Sequence, residues 1–503
     1  MTNTDTTRRR MLTAAGAVGI AGLAGCSTLV SVEEEDDPEM EVTQSVMYEI
    51  PQYIDAGGSP EYSDDGLRFV DYANIAHGIG IPTTAMRESE LGHEDYDASL
   101  YAEEMPRLGE LWAELVEEDL MGAFTRTFDG RTWPFLQENE NGWVREGEPR
   151  FEDLQHATYT YHVHHRGGRF AEHDGMFRRI VFTPPDFQTS VGRFILDERR
   201  DGGTLYHDED LTDVDNHSMA YGLASIHAHY YAWTRFGKPD GLDDMTRVPE
   251  DELVDFLGYD QHVLSEVAMD IKEEALDDAW NDATGVYEWN GSTYPIDAVG
   301  GMIRGTKALY DSIQFWGGNE DAAMEVFDRT VRMFSEIYEA DIVQPWGLPS
   351  EVEFTENGVE PASNTVDARR TWEFVNHLTG GYGLTRDRFT ELLEDNSPET
   401  FDHVGEITDE LLLGVMEYGL DGGELVSELD YGSGDITDDR RSAAAIGIFL
   451  PAAINGYGAG EAFERTDGWG DVDAEVANNT SDLFDVVVDH LALIENAFLI
   501  EAQ

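Results

Sequence analysis

The sequence has almost no cysteine, very little lysine and a large deficit of positive charge. Its 503 residues include one cysteine, Cys26, so no disulfide can form within the chain. Lysine occurs only at Lys238, Lys272 and Lys307, and lysine plus arginine total 32 against 103 aspartate plus glutamate. The formal net charge is therefore −71. Without a basic stripe to neutralise phosphates, the chain is not expected to bind nucleic acid.

Such an excess of carboxylates describes the surroundings of the protein rather than a partner. In dilute buffer the like charges would repel each other and strain a compact fold. In molar salt the screening length falls to about 3 Å, and most of that repulsion disappears. The composition resembles that of proteins from haloarchaea that accumulate salt in the cell. We therefore expect a halophilic protein with a hydrated acidic surface.

The segment before Cys26 is apolar but short. Arg8, Arg9 and Arg10 precede an apolar stretch at 11–24, and Leu-Ala-Gly stands directly before Cys26. The stretch is shorter than the roughly 20 residues that span a bilayer. This pattern resembles a twin-arginine export signal fused to a lipobox. The resemblance implies the twin-arginine translocase as a partner, loss of residues 1–25, and a membrane contact through lipid on Cys26 at the extracellular face of the cytoplasmic membrane.

The remaining chain is expected to form one folded body on a short tether. Residues 26–42 contain a run of acidic side chains whose mutual repulsion favours an extended, acidic tether. From 43 to 503 no Pro/Ser-rich linker or low-complexity break occurs. We predict a single domain over 43–503.

An internal repeat predicts the fold of that domain. An amphipathic helix, a Gly-containing turn with short extended arms, and an Asp or Asn that opens a second helix follow one another several times. The openers recur at intervals of roughly 60 to 80 residues, at Asp153, Asp215-Asn216, Asp297, Asp367 and Asp438. The pattern resembles an (α/α)5–6 toroid of helical hairpins, mainly α with short β-hairpins in the connecting loops, as in six-hairpin glycosidases. An open helical solenoid is the alternative.

Two local signals refine this prediction. An Asp or Asn directly before an apolar-periodic run is typical of a helix N-cap, because its side chain accepts orphan backbone N–H groups. Asn290-Gly291 lies between two short aromatic runs and predicts a two-residue β-hairpin. The Gly- and Ala-rich runs at 298–301 and 442–453 predict inner helices that pack closely around the axis.

In a toroid the inner-helix openings and the hairpins surround one end of a cavity, which makes them the candidate site. Carboxylates, a few arginines and aromatic platforms suit a sugar, since its faces stack while its hydroxyl groups hydrogen-bond. A polysaccharide is the expected partner, with four candidate substrate-binding residues, Asp153, Trp289, Asp367 and Arg370. The simpler interpretation is that each Asp caps a helix, each Arg pairs with it, and each aromatic ring packs a hairpin.

Asn216-His217 resembles the Asn-His motif of alginate-lyase-like polysaccharide lyases, which use α/α toroids. The segment from Arg304 to Tyr310 is similar to the Arg-to-Tyr element of that family. The resemblance implies that Asn216 and Arg304 neutralise a uronate carboxylate, that His217 is the base, and that Tyr310 is the acid. Arg304 and Tyr310 are six residues apart, about 600° around a helix, so they do not share one face.

Two other functions remain open from the sequence. A glycoside hydrolase would use a carboxylic acid and a partner carboxylate, with Asp153, Asp297 and Asp367 as candidates. A lipid-anchored binding or scaffold protein would use the same cavity without chemistry. The histidines at 162–165 and 227–229 lack a complete ligand motif, so no metal and no cofactor are expected.

Overall fold

The computed structural model describes residues 195–208, 210–225, 261–379 and 395–453. It also describes 53–54, 60–61, 125–128, 131–134, 137–139, 142–144, 392–393 and the single residues Asn74, Phe151, His490 and Leu493. The predicted export signal, the tether with Cys26, the candidate Asp153 and the histidines at 162–165 and 227–229 lie outside these residues. Within the described part, no helix is both long and apolar enough to cross a membrane.

Helices dominate the described residues. They are α1 (216–225), α2 (Gln261–Ile271), α3 (Ile296–Asp311), α4 (Glu320–Glu339), α5 (Ala368–Thr379), α6 (Pro398–Glu417) and α7 (443–453). A short helical segment covers 195–198. A π-helical turn, Lys272–Leu276, continues α2 into the short segment Asp277–Ala279, and a second π-helical turn, Ser312–Gly317, follows α3.

The strands are short and antiparallel. Along the chain they are β1 (Tyr53–Ile54), β2 (Pro60–Glu61), β3 (Thr125–Phe128), β4 (Arg131–Pro134), β5 (Gln137–Asn139), β6 (Gly142–Val144), β7 (Arg200–Asp201), β8 (Thr204–Leu205), β9 (Trp280–Asn281), β10 (Val286–Tyr287), β11 (Thr293–Pro295), β12 (Glu351–Thr355), β13 (Gly358–Pro361), β14 (Thr365–Asp367), β15 (Leu420–Asp421), β16 (Glu424–Leu425), β17 (Glu428–Asp430), β18 (Ile436–Asp438) and β19 (Arg441–Ser442). They form two- and three-stranded sheets, and β7 to β19 lie in the loops between the described helical segments.

A helix, a β-hairpin and a second helix follow one another four times in the described chain. The hairpins β7–β8, β9–β10, β12–β13 and β15–β16 join 195–198 to α1, α2 to α3, α4 to α5, and α6 to α7. Their turns need left-handed backbone, which Gly202 at φ 57° and Gly422 at φ 65° provide without a Cβ clash. The predicted repeat of helix, hairpin and helix is therefore confirmed.

The two helices of each repeat differ in burial. All 16 residues of α3 are buried, whereas α4 buries only the stripe that includes Val326, Thr330 and Phe334. A helix buried on all sides lies in an inner layer, and a helix with one apolar stripe covers that layer from outside. Thr330 of α4 donates its hydroxyl hydrogen to Thr306 of α3 over 2.8 Å, which joins the outer helix to the inner one.

Inner helices pack against one another in chain order. A Cβ added to Gly305 of α3 would lie 2.5 Å from Leu223 Cβ of α1, and one added to Gly300 would lie 3.0 Å from His377 Cβ of α5. Glycine therefore permits the close approach of α3 to both neighbours, as the Gly-rich run predicts. On the far side of α5, the rings of Trp372 and Phe449 bring α5 and α7 together, with centroids 4.9 Å apart.

Strand pairing brings the beginning of the body next to the last repeat. β1, at the beginning of the body, pairs with β19 just before α7, with Tyr53 opposite Ser442 and Ile54 opposite Arg441. Arg441 is buried, and its guanidinium donates to Asp421 and Glu424. Together with the short antiparallel hairpins, the layers of inner and outer helices confirm the predicted mainly α toroid of helical hairpins.

Two local predictions are wrong. β10 and β11, on either side of Asn290-Gly291, do not pair with each other, because β10 pairs with β9 and β11 with β12. The polar groups of the connecting segment bind the side chain of Asn216 instead. Asp438 does not open the last inner helix either. It ends β18 and binds Arg440, while Ser442 accepts the Ala445 N–H at the beginning of α7.

Candidate functional site

The inner helices differ in which side chains accept the backbone N–H groups of their first turns. At α1, Asp215 Oδ1 accepts the Ser218 N–H over 2.6 Å, and Ser218 Oγ accepts the Asp215 N–H over 3.0 Å. At α5, Asp367 accepts the Arg370 N–H over 2.9 Å. These two residues cap their helices, as predicted. Asp297 lies inside the first turn of α3, does not cap it, and is 1% exposed.

Three inner helices bring a polar cluster together next to these openings. We call Tyr221 of α1, Asp297 and Arg304 of α3, and Glu373 and His377 of α5 the axial cluster. The Tyr221 hydroxyl oxygen lies 2.9 Å from Asp297 Oδ2 and 2.7 Å from Glu373 Oε1. Glu373 is 0% exposed, so one buried phenol touches two buried carboxyl groups.

Hydrogen counting indicates that one of the two carboxyl groups is protonated. A phenol has one hydrogen to donate, whereas an ionised carboxylate can only accept. Both short contacts of Tyr221 are therefore satisfied only when one carboxyl group is protonated and donates to the phenol oxygen. Burial, followed by the negative charge of Glu373, raises the pKa of Asp297, although Arg369, His217 and Arg370 oppose this rise. A buried like-charged pair is the setting in which one carboxylic acid stays neutral.

The surroundings assign the proton to Asp297 rather than to Glu373. Arg369 Nη1 lies 3.3 Å from Glu373 Oε2, and His377 Nε2 lies 3.6 Å from Glu373 Oε1. The ion pair of Asp297 is longer, with Arg370 Nε 3.8 Å from Asp297 Oδ1. The closer positive group stabilises the ionised form of Glu373. These contacts favour Glu373 as the carboxylate of the pair and Asp297 as the acid.

Arg304 supports this assignment through His377. The Arg304 Nη1 atom lies 3.5 Å from His377 Nδ1. A guanidinium has only donors, so His377 Nδ1 accepts, and the neutral ring carries its hydrogen on Nε2, which faces Glu373. Arg304 is 4% exposed, and it brings a positive charge into the buried cluster because a guanidinium is not deprotonated in proteins.

The faces of α3 separate two of the predicted catalytic residues. Asp297 and Arg304 are seven residues apart, about two turns, and lie on one face. Tyr310 lies on the opposite side, with its ring centroid 6.3 Å from that of Phe327 on the outer helix α4. The structure therefore brings Arg304 into the axial cluster and places Tyr310 between the inner and outer layers. In the cluster a tyrosine is supplied by Tyr221 instead.

His217 and Arg370 lie beside the axial cluster. The His217 ring centroid is 4.6 Å from that of Tyr221, and the His217 side chain is half-buried. The Arg369 and Arg370 side chains are 20% and 29% exposed, in contrast to the buried carboxyl groups next to them. The cluster is thus bordered by partly exposed cationic side chains on the side where α1 and α5 begin.

The other predicted site residues have different surroundings. The amide of Asn216 binds the segment that connects β10 to β11. Trp289, in that segment, donates its N–H to Asn216 and stacks on Tyr287, with centroids 5.8 Å apart. The observed role of Asp367 is the cap on α5 described above. Substrate binding by Trp289, Asp367 and Arg370 stays a prediction.

Sequence reasoning missed Tyr221, Glu373 and His377 as site residues. The available signal was spacing, because His217–Tyr221 and Glu373–His377 are i,i+4 pairs that share one helix face. A glutamate in an otherwise buried inner helix needs a partner for its charge, which also marks Glu373. Among the described residues, no group of three His, Cys, Asp or Glu side chains is placed to hold a metal ion.

Comparisons with known proteins give remote structural likenesses. No family model and no curated protein matches the chain. A sugar epimerase from a ruminal bacterium is similar over 85% of this chain and 98% of its own, at 12% identity and a TM-score of 0.46. A β-1,3-1,4-glucanase from Paenibacillus sp. X4 is similar over 76% and 89%, at 12% identity and a TM-score of 0.41. A possible GH105 family member from Salmonella enterica serovar Paratyphi A is similar over 86% and 98%, at 10% identity and a TM-score of 0.42.

Proposed function

We propose that the axial cluster is the catalytic centre of a glycoside hydrolase. The observation that carries this proposal is the Tyr221 hydroxyl, which lies 2.9 Å from Asp297 and 2.7 Å from Glu373 and so requires a proton on one of two buried carboxyl groups. Glycoside hydrolysis needs one carboxylic acid and one ionised carboxylate close together. Environments that push two carboxyl groups toward opposite protonation states supply that pair.

In this proposal Asp297 is the general acid. Its proton passes to the glycosidic oxygen as the bond from that oxygen to the anomeric carbon breaks, and water later supplies the replacement proton. Asp297 Oδ1 is buried and has no hydrogen-bond partner among the described residues. Burial favours the neutral acid in the resting enzyme, so the proton is available at a pH above the ordinary range of an aspartate.

Glu373 is the ionised partner. Because both carboxyl groups contact one phenol oxygen, at 2.9 and 2.7 Å, their nearest oxygens cannot be farther apart than the sum of these two contacts. This limit lies near the ~5–5.5 Å of retaining enzymes and below the range of inverting enzymes. Inverting enzymes separate their carboxyl groups by roughly 6.5–9.5 Å to hold a water molecule. The geometry therefore favours direct participation of Glu373 at the anomeric carbon and retention of configuration.

Incubation with a panel of neutral and acidic polysaccharides at high salt tests this function. New reducing ends without absorbance from unsaturated uronate are expected, and Asp297→Asn should slow their formation about 10²- to 10⁴-fold. Unsaturated products would instead favour the lyase that the Asn216-His217 motif suggests. Saturable binding without turnover would favour a ligand-binding lipoprotein and refute the hydrolase.

We also propose that the enzyme works outside the cell, held to the membrane by lipid on Cys26. This proposal is supported by the arginines at 8–10, the short apolar stretch and the residues before Cys26. The acidic tether at 26–42 would keep the body away from an anionic membrane surface, because like charges repel. In concentrated salt this repulsion acts over only a few ångströms, roughly the length of the tether's own side chains.

A further inference from the structure

The side-chain amide of Asn216 makes a cross-link that the proposed reaction does not itself require. Asn216 Oδ1 accepts the backbone N–H of Trp289 over 3.0 Å. Its Nδ2 group donates to Gly291 O over 2.7 Å and to Thr293 O over 3.3 Å. The Asn216 backbone N–H also donates to Asn290 Oδ1 over 3.2 Å. The residue is 2% exposed, so this amide is committed to the segment 289–293.

The cross-link joins the beginnings of α1 and α3, the helices that carry Tyr221 and Asp297. Asn216 is the first residue of α1, and Tyr221 follows five residues later. Thr293 begins β11, which leads directly into α3, and Asp297 follows four residues later. The same side chain therefore holds the chain just before Tyr221 and just before Asp297.

We propose that Asn216 is a positioning residue that fixes the distance between Tyr221 and Asp297 by tying the first turn of α1 to the segment entering α3. It acts through backbone groups and does not touch the substrate. This role differs from the charge neutralisation implied by the Asn-His motif. It rests on the proposed function for the reaction that it serves, although the geometry can be measured without turnover.

Loss of the amide changes the surroundings of Asp297 in a defined direction. It leaves the Trp289 N–H and two carbonyl groups without their partner and lets α1 move relative to α3. The charged and titratable groups that act on Asp297 are Tyr221 and His217 from α1, and Arg369, Arg370 and Glu373 from α5. Arg304 of α3 lies two turns away on the same helix face and contacts His377 of α5. If Tyr221 moves away and water enters, Asp297 is better hydrated and holds its proton less tightly.

Infrared difference spectroscopy of the full protein tests this inference in Asn216→Ala. The carboxylic-acid carbonyl band that disappears in Asp297→Asn reports Asp297, and its titration midpoint should move to lower pH in Asn216→Ala. The pH profile of kcat should move in the same direction, and kcat should fall about 10- to 100-fold, since misplacement by an ångström is enough for such a loss.

Ser442→Ala is the matched control. Ser442 Oγ also accepts a first-turn N–H, that of Ala445, but it serves α7, which contributes no residue to the axial cluster. This variant should lower the melting temperature while the infrared midpoint and the pH profile stay unchanged. A purely structural role for Asn216 would give the same result as Ser442→Ala and would overturn the inference.

A second variant covers the case in which Asn216→Ala does not fold. Asn290 is exposed, and Asn290→Ala removes only the acceptor of the Asn216 N–H. It should move the infrared midpoint in the same direction by a smaller amount, and an unchanged midpoint in this folded variant overturns the inference. A shifted midpoint without turnover on any glycan supports the positioning role and refutes the hydrolase.

Discussion

Asp297→Asn separates the catalytic role of the acid from its cost to the fold. The amide has nearly the same shape as the carboxyl group and can still hydrogen-bond to Tyr221, but it cannot release a proton. Removal of a general acid typically costs about 10²- to 10⁴-fold in rate. At roughly 1.4 kcal/mol for each factor of ten, this corresponds to about 2.7–5.5 kcal/mol of activation free energy.

The effect of Asp297→Asn on stability has a definite sign. Burial and Glu373 raise the pKa of Asp297 in the folded protein above its value in the unfolded chain. The stability from the bound proton is therefore complete below the unfolded pKa and is lost as pH rises through the folded pKa. Above that window the wild type buries two ionised carboxylates beside Tyr221, whereas the variant buries one. The free energy of unfolding of the wild type minus that of Asp297→Asn should thus fall with rising pH.

Chemical denaturation at several pH values and constant high salt measures this difference, with kcat measured on the same preparations. Asp438→Asn is the control of opposite sign, because Arg440 lowers the pKa of Asp438. Stability from that carboxylate is complete above its unfolded pKa and is lost as pH falls through its folded pKa. This partly exposed pair contributes only about 0–1 kcal/mol, and its loss should not affect turnover. Turnover of Asp297→Asn within tenfold of wild type, or a difference that rises with pH, would refute the reasoning.

Two further predictions address the ring and its location. Gly305→Ala should lower the free energy of unfolding, because its Cβ would lie 2.5 Å from Leu223 Cβ and 2.9 Å from Ala224 N. The loss expected in denaturant titrations is about 1–3 kcal/mol from overpacking, and the better helix propensity of alanine offsets up to ~1 kcal/mol of it. Gly301→Ala on the same helix, with its nearest atom at 3.6 Å, should be neutral or stabilising, and equal losses in both variants would contradict the packing. Cys26→Ser should move the protein from the membrane fraction to the soluble fraction and remove the gel shift of a lipidated chain, and unchanged fractionation would be incompatible with the anchor.

The hairpin turns could be predicted from sequence because their signal is local. Gly202-Gly203 and Gly422-Gly423 connect paired strands, and each turn contains backbone that only glycine adopts readily. Asn290-Gly291 has an equally strong turn signal, yet its flanking strands pair elsewhere. The competing interaction comes from Asn216, which is more than 70 residues away in sequence. Turn chemistry alone does not reveal such a partner.

The sequence predicts only those parts of the candidate site that lie on the same helix. The spacing of Asp297 and Arg304 places both on one face of α3, and both lie in the axial cluster. The partner of Asp297 is set by the contact of α3 with α5, which depends on the absence of a side chain at Gly300 and not on any motif around Glu373. Tyr221 enters the cluster for the same reason, since Gly305 lets α1 approach the other side of α3.

The close packing of the inner helices also affects the protonation of Asp297. A phenol from one helix and carboxyl groups from the next two can share a proton only if all three helices approach closely at the same end. Glycines of α3 permit that approach, and the amide of Asn216 holds the beginning of α1 next to the segment that enters α3. The acid therefore depends on the packing of α3 as much as on Asp297. Substitutions that widen the ring at Gly300 should lower the pKa of Asp297 before they unfold the protein, because they separate it from Glu373 and admit water.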